Sequence, residues 1–138
     1  MDQLKPSPLI LTHIHQQELV EIAKKESPLE ACGLLAGKGR ESQAVIQIPN
    51  LLASPTAYRM SEPELVNTIW AIEKKGWGLL AFFHSHPSGP PIPSPTDLEE
   101  YHYGEIPQII LGVTEKTWQL AAYTLTHKAY SEIPVSIV

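Results

Sequence analysis

The pattern of apolar and polar residues divides the chain into short strands and helices. Short apolar runs without charges are typical of strands that are buried on both faces. Such runs occupy residues 31–36, 79–83 and 108–113. Shorter or alternating segments predict half-buried partner strands and edge strands. These occupy residues 9–11, 44–48, 118–124 and 133–138.

Two segments with apolar residues at helical spacing predict the longer helices. The first begins after Thr12 and continues to about Glu26. We expect its buried face to consist of Ile14, Leu19, Ile22 and Ala23. The second begins after the capping residue Ser61 and ends before Gly76. We expect its buried stripe to consist of Leu65, Ile69, Trp70 and Ile72. The order of strands and helices predicts an α/β fold with a mixed β-sheet flanked by helices.

The apolar run at residues 79–83 leads directly into His84 and His86. Side chains two residues apart on a strand point to the same face of the sheet. The two imidazoles can therefore converge on one point, as chelation of a metal requires.

A proline-rich loop follows the two histidines. Five prolines and one glycine between residues 87 and 95 exclude a regular helix or strand. The loop ends at Ser94, a helix N-cap residue, with Pro95 at the first helical position and Asp97 in the first turn. The helix is expected to end at about Tyr103. The loop thus returns a carboxylate toward the imidazoles.

Two imidazoles and one carboxylate form a ligand set that suits zinc. Three protein ligands, here His84, His86 and Asp97, leave the fourth tetrahedral position open for water, as in catalytic zinc sites. A second His-x-His pair, His13 and His15, lies within the first predicted helix, where the side chains diverge. We expect that pair to face solvent and to share no metal.

The order His84, His86, Pro87, six residues, Ser94 and Asp97 resembles the signature of the JAMM (MPN-plus) metalloproteases. The resemblance implies a zinc-dependent peptidase or isopeptidase with a cytidine-deaminase-like JAB/MPN fold. It extends over nearly the whole chain, and small prokaryotic members of the family are similar in size.

The family also has a glutamate at the start of an upstream strand, and the segment at residues 28–37 resembles it. By itself, Glu30 is typical of a solvated carboxylate at a strand end. Beside the downstream motif it is predicted to be the general base, since zinc hydrolases need a proton acceptor that is not a ligand. The family implies that Ser94 stabilises the oxyanion. We expect Cys32 to be a small buried residue, and the sequence assigns no role to Tyr58, Arg59 or His102.

Small prokaryotic members of the family act on sulfur-carrier proteins. The resemblance therefore implies cleavage after the C-terminal glycine of a ubiquitin-like or sulfur-carrier protein with a Gly-Gly tail, in some cases with release of cysteine. Two alternatives remain open. The His-Pro-Ser-Gly segment at residues 86–89 also resembles RadC-like DNA-associated zinc hydrolases. A non-catalytic MPN-type scaffold is the third possibility, although such scaffolds lack the zinc ligands.

Length, net charge and cysteine count limit the classes to which the protein can belong. A chain of 138 residues, 43% of them hydrophobic, predicts a single domain over residues 1–138. The net charge of −5, without a dense Lys/Arg run, argues against a nucleic-acid partner. A single cysteine excludes an intrachain disulfide and a zinc ribbon. Without a signal-peptide pattern or a long apolar run, we expect a cytoplasmic protein with no membrane partner.

Overall fold

The structure, a computed structural model, describes residues 7–101 and 104–138. Within these residues there are three helices and eight strands. In chain order they are β1 (Leu9–Leu11), α1 (His13–Glu26), β2 (Cys32–Lys38), β3 (Glu41–Ile48), α2 (Glu62–Lys74), β4 (Gly78–His86), α3 (Pro95–Glu100), β5 (Gln108–Thr114), β6 (Thr117–Leu125), β7 (Tyr130–Ile133) and β8 (Val135–Ile137). No helix in the described part of the chain is long and apolar enough to cross a membrane.

The strands form one mixed sheet in the order β7-β6-β5-β4-β2-β3-β1-β8. β4 runs parallel to β5, and β1 runs parallel to both β3 and β8, whereas the remaining pairs are antiparallel. This arrangement, with helices packed against the sheet, confirms the predicted α/β class.

The C-terminal tail forms the predicted edge strand, β8, but Ile133 belongs to a separate strand, β7. β7 and β8 lie at opposite ends of the sheet order, although only Pro134 separates them in the chain. The sheet must therefore curl until its two edges approach each other. The backbone N–H of Leu9 donates to the Pro134 carbonyl at 3.0 Å, which fastens this junction.

Both longer helices begin at the predicted caps, but each exposes one apolar residue that was expected to be buried. Leu19 and Ala23 of α1 are buried, whereas Ile14 is 70% exposed. Nine residues separate Ile14 from Ala23, which is two and a half helical turns, so the two side chains point in opposite directions. In α2, Trp70 is 63% exposed because it lies five residues, about 140°, from the buried Leu65.

β4 runs through the centre of the sheet and is buried on both faces, as predicted. Phe83 packs into the cluster that contains α1, and Phe82 packs into the cluster that contains α2. β2 lies on one side of β4, with Cys32 opposite His84, and β5 lies on the other side. The end of β4 is thereby fixed between two neighbouring strands.

The last helix is shorter than predicted. α3 ends at Glu100, and Tyr101 already has an extended backbone. His102 and Tyr103, which the prediction included, lie outside the described residues.

Candidate active site

The pairing of β2 with β4 brings the N-terminal end of β2 beside the two histidines. The Ser85 N–H donates to the Ala31 carbonyl at 3.0 Å, and the Ser85 hydroxyl accepts from the Ala31 N–H at 2.8 Å. Since Cys32 lies opposite His84, these bonds extend the antiparallel register by one more residue pair. The same register then places Glu30 beside His86.

Asp97 is held by a reciprocal capping box at the start of α3. The Ser94 hydroxyl accepts from the Asp97 N–H at 3.1 Å, and Asp97 Oδ2 accepts from the Ser94 N–H at 2.8 Å. The helix is docked on the sheet through a small apolar cluster. Its members are Leu98, Tyr101, Ile110, Ala121, Tyr123 and Leu125. Local capping thus sets the orientation of the carboxylate, and packing sets its position.

The structure brings His84, His86 and Asp97 together. The two Nε2 atoms lie 3.1 Å apart, His84 Nε2 lies 3.1 Å from Asp97 Oδ1, and His86 Nε2 lies 3.0 Å from Asp97 Oδ2. Ligands about 2.0–2.1 Å from a tetrahedral zinc are separated by about 3.3 Å, so a small outward shift of each group accommodates the ion. The donor set and its spacing therefore fit a metal ion.

The proline-rich loop is anchored to the neighbouring strands. The Val113 N–H donates to the Gly89 carbonyl at 2.7 Å, and the Tyr123 hydroxyl donates to the Pro91 carbonyl at 2.6 Å. A Cβ atom at Gly112 would lie only 2.4–2.6 Å from backbone atoms of this loop. Glycine at this position therefore allows the loop to lie directly on β5.

One carbonyl of the loop orients a metal-ligand candidate. His86 Nδ1 lies 3.0 Å from the Pro90 carbonyl, which can only accept a hydrogen bond. A proton on Nδ1 can donate to this carbonyl, which leaves Nε2, the ring nitrogen that faces His84 and Asp97, as the atom that would bind a metal. This is the second hydrogen bond that metal-binding histidines usually make.

The charges of the cluster suit cation binding. Complete burial lowers the pKa of His84, so that ring stays neutral despite its hydrogen bond with Asp97. Burial alone would lower the pKa of His86, but hydrogen bonds with Asp97 and Pro90 raise it. Burial alone would raise the pKa of Asp97, yet the hydrogen bonds from His84 and His86 hold it well below its usual range. The site therefore keeps a carboxylate anion facing two imidazoles.

Glu30 is a buried carboxyl beside this cluster. It is 4% exposed, and its Oε1 has no hydrogen-bond partner within the described part of the chain. Its backbone is fixed, because its N–H donates to the Ser54 carbonyl at 2.8 Å and its carbonyl accepts from Asn50 at 3.1 Å. Burial raises the pKa of Glu30 to about 8; the nearby His86 opposes this rise and Asp97 adds to it. A carboxyl with this pKa can both take up and release a proton near neutral pH.

The buried Glu30 predicts a pH-dependent effect on stability. Its folded-state pKa lies above its ordinary value of 4.5, so the stability that the protonated group contributes is lost as pH rises from about 4.5 to 8. In chelator-stripped protein, Glu30→Gln is expected to raise stability by about 1–3 kcal/mol at pH 8, or roughly 3–10 °C in Tm, and much less at pH 5. Thermal unfolding of both proteins across this pH range measures the effect. Glu105→Gln, at an exposed carboxylate, is the control, and a Glu30→Gln difference that is constant with pH would contradict the buried titrating carboxyl.

Two neighbours of His84 were not assigned from the sequence. The Tyr58 ring stacks on the His84 ring, with centroids 4.7 Å apart and planes inclined by 22°. The side-chain amide of Gln108 lies 2.5 Å from His84 Nδ1. The only signal for Gln108 was a single polar residue at the start of an apolar strand. His102, to which the sequence also assigned no role, lies outside the described residues.

A cavity of about 310 Å³ opens beside Asp97. Its lining includes Tyr58, Arg59, Leu52, Met60, Thr96 and Glu100. A larger cavity of about 610 Å³ lies against residues 124–127 and is lined by none of the predicted site residues. The smaller cavity is therefore the space through which a substrate could reach the cluster.

The other candidate reactive groups were the thiol of Cys32 and the second pair of histidines, His13 and His15. The Cys32 thiol donates to the Ile48 carbonyl at 3.3 Å, and burial, with the nearby Glu30 and Glu26, raises its pKa to about 12. Such a thiol is a poor nucleophile. His13 is exposed as expected, but His15 is partly buried and its Nδ1 lies 2.6 Å from the Ser42 hydroxyl. The expectation that both histidines face solvent is therefore wrong for His15.

The fold and the cluster define an α/β domain with three potential metal ligands at the end of its central strand. The model of one family, the prokaryotic homologs of the JAB domain, matches residues 12–124. The chain belongs to this family, which confirms the resemblance seen in the sequence.

Several named proteins are similar to the chain. A probable TtuB-protein conjugate cleaving protease of Thermus thermophilus is 44% identical over 89 residues, which cover 64% of this chain and 59% of that protein. A desampylase of Haloferax volcanii is 32% identical over 85% of this chain and 84% of its own length. A CysO-cysteine peptidase of Mycobacterium tuberculosis is 28% identical over 87% of this chain and 84% of its own length.

Solved structures share the fold. A protein from Desulfitobacterium hafniense, determined in solution, has a TM-score of 0.84 at 26% identity, and the match covers 94% of this chain and 92% of that one. A JAB1/MPN domain protein from Archaeoglobus fulgidus has a TM-score of 0.60 at 20% identity, with 96% and 98% covered. The predicted JAB/MPN fold is thereby confirmed.

Proposed function

We propose that the protein is a zinc-dependent metallopeptidase or isopeptidase. Its substrate is the amide bond after the C-terminal glycine of a ubiquitin-like or sulfur-carrier protein. The observation that carries this proposal is the convergence of His84, His86 and Asp97 on one point beside the buried carboxyl of Glu30. The names of the relatives, which refer to TtuB conjugates, to desampylation and to CysO-cysteine, support the substrate class.

In this proposal His84, His86 and Asp97 hold one zinc ion. Bound zinc supplies Lewis acidity, which polarises a carbonyl and lowers the pKa of water to roughly 7. Two nitrogen ligands and one oxygen ligand, with a fourth position left for water, are typical of catalytic zinc sites. The cluster also disfavours a non-catalytic scaffold, because such a protein has no need of the ligands.

Glu30 is proposed to move the proton. Its pKa, raised by burial to about 8, lies close to physiological pH, where a general base is most effective. The carboxylate accepts the proton of the attacking water and then donates it to the leaving amine. Its fixed backbone and its position beside His86 keep the group near the reacting atoms without making it a ligand.

Ser94 is proposed to stabilise the oxyanion. Its hydroxyl oxygen accepts from the Asp97 N–H at 3.1 Å, which fixes the side chain. A hydroxyl that accepts one hydrogen bond can still donate its own proton, here to the carbonyl oxygen as negative charge develops. The cap and the catalytic role are therefore compatible.

The access route favours an extended tail of small residues. The rigid proline-rich loop lies on one side of the cluster, and the cavity of about 310 Å³ lies beside Asp97. Glycine has no Cβ, so its backbone can approach a confined metal centre more closely than any other residue.

We also propose that residues 1–138 form one domain, since β1 and β8, from the two ends of the chain, pair within the same sheet.

Replacing the last glycine of the carrier by valine is therefore expected to abolish cleavage. Two branched methyl groups at the scissile residue would collide with the walls of the site, whereas substitutions on the far side of the carrier should have little effect. Carriers that bear a C-terminal amino acid or a lysine adduct would be incubated with zinc-loaded protein, and the released group would be measured by mass spectrometry.

A carrier with a substitution on its distant face is the matched control for the Gly→Val carrier. Equal cleavage of Gly-Gly and Gly-Val carriers would contradict the glycine requirement. Activity on nucleic acid, without cleavage of any ubiquitin-like adduct, would instead favour the RadC-like alternative.

A further inference from the structure

Gln108 is a buried polar residue whose presence the catalytic scheme does not explain. It is 1% exposed and begins β5, where it precedes the fully buried Ile109, Ile110 and Leu111. In the parallel register of β4 and β5 it lies opposite Phe82. It therefore shares the face of the sheet from which His84 projects two residues further along β4.

The amide of Gln108 contacts both the His84 ring and the Tyr58 side chain that stacks on it. Its Nε2 lies 2.5 Å from His84 Nδ1 and 2.8 Å from the Tyr58 hydroxyl. Its Oε1 is buried and has no hydrogen-bond partner within the described part of the chain. No donor within the described part of the chain therefore fixes the amide in this orientation.

The orientation of the amide is coupled to the position of the proton on His84. A neutral imidazole carries one N–H, and a ring that gives Nε2 to a metal carries that proton on Nδ1. An acceptor must then face Nδ1. Rotation of the Gln108 amide by 180° about its terminal bond leaves its shape unchanged and places Oε1 where Nε2 stood. Its two lone pairs then accept from His84 Nδ1–H and from the Tyr58 hydroxyl.

We propose that Gln108 is a positioning residue for the metal site, whose Oε1 accepts a hydrogen bond from His84 Nδ1–H and thereby directs Nε2 to the metal. This inference rests on the metal site of the proposed function. The neighbouring ligand has the same arrangement, because His86 Nδ1 faces the Pro90 carbonyl at 3.0 Å. Tyr58 supports the amide through its hydroxyl and covers the His84 ring with its own ring.

Zinc affinity in three proteins tests this role. Gln108→Met keeps the length of the side chain but removes the acceptor, and is expected to weaken zinc binding by about 10–100-fold. Gln108→Glu keeps an acceptor of the same shape and is expected to bind zinc within a few-fold of the unsubstituted protein or more tightly. Dissociation constants would be measured by competition with a chromogenic chelator, without reference to activity.

The rescue by glutamate separates positioning from packing, since a purely structural role would favour the apolar methionine over a buried carboxylate. A spectroscopic measurement needs no variant. In zinc-loaded protein with ¹⁵N-labelled histidine, His84 should show a protonated Nδ1 and a metal-bound Nε2. Tyr58→Phe, which keeps the stacked ring, should weaken zinc binding by less than Gln108→Met does.

Each contrary result is specific. Unchanged zinc affinity in Gln108→Met, or coordination of zinc through His84 Nδ1, would overturn the role of Gln108 while leaving the proposed function intact. Failure of the unsubstituted protein to bind zinc would overturn the proposed function itself.

Discussion

Glu30→Gln is expected to reduce cleavage of carrier adducts by about 10²–10⁴-fold while zinc content and fold are retained. The amide has nearly the size of the carboxyl but cannot accept a proton from water. Glu30 is not one of the three residues that converge on the metal position, so its replacement leaves the ligand set intact. The loss should therefore appear in kcat, without a matching loss of bound metal.

Turnover of a carrier adduct by mass spectrometry, together with metal analysis of the same sample, would measure this effect. Glu99→Gln is the control, because Glu99 lies on the same helix as Asp97 but is exposed and lines neither the cluster nor the cavity beside it. Near-normal turnover in Glu30→Gln would remove Glu30 from the mechanism. Metal-free Glu30→Gln protein is also expected to be more stable than the unsubstituted protein at pH 8. A large loss of turnover together with this gain in stability would show that the buried carboxyl is retained for catalysis at the expense of stability.

Local signals in the sequence predicted the helices well. The caps Thr12, Ser61 and Ser94 each accept a hydrogen bond from the backbone N–H three residues later. These bonds lie within one helical turn, so a short stretch of sequence contains all the information they need. The exposure of Ile14 and Trp70 could have been foreseen from helical spacing, because both lie well away from the direction of their buried neighbours.

Contacts between distant segments were harder to predict. The spacing of His84 and His86 follows from strand periodicity, but no periodicity relates either residue to Glu30. Only the pairing of β2 with β4 does so, and the Ala31–Ser85 hydrogen bond that fixes it spans 54 positions. Glu30 was predicted as a site residue only from the resemblance of its segment to a known family. Gln108 was missed for the same reason, because its contact with His84 depends on the register of β4 and β5.

The C-terminal tail shows a different limit of prediction from sequence. An apolar tail interrupted by Pro134 is typical of an edge strand, and the structure does place both halves of the tail at edges. The two halves follow each other directly in the chain, so they can lie at opposite edges only because the sheet curls and brings those edges together. Curvature accumulates from the twist of every strand pair, so a local pattern cannot reveal it.

Asp97→Ala is expected to lower zinc occupancy sharply. The carboxylate faces His84 Nε2 through Oδ1 and His86 Nε2 through Oδ2, so it supplies both a ligand and the negative charge of the site. Loss of a hydrogen-bond partner of a metal ligand typically weakens metal binding by about 10–100-fold. Loss of the ligand itself should weaken zinc binding by more than this. Metal analysis after dialysis, and chelator competition, would measure the effect. His13→Ala, on the exposed face of α1, should leave zinc binding unchanged.

Asp97 also caps α3, and two further variants separate that role from metal binding. Asp97→Asn keeps an oxygen that can accept from the Ser94 N–H but loses the charge, so it should retain the helix and still bind zinc weakly. Ser94→Ala removes the hydroxyl that accepts from the Asp97 N–H, which should cost about 1 kcal/mol of stability while zinc is retained. Full zinc occupancy in a His84→Ala/His86→Ala double variant would show that the metal is bound elsewhere. Because Asp97 both completes the capping box and faces the metal position, weakened zinc binding in Asp97→Asn, with zinc retained in Ser94→Ala, is the result that identifies Asp97 as a ligand.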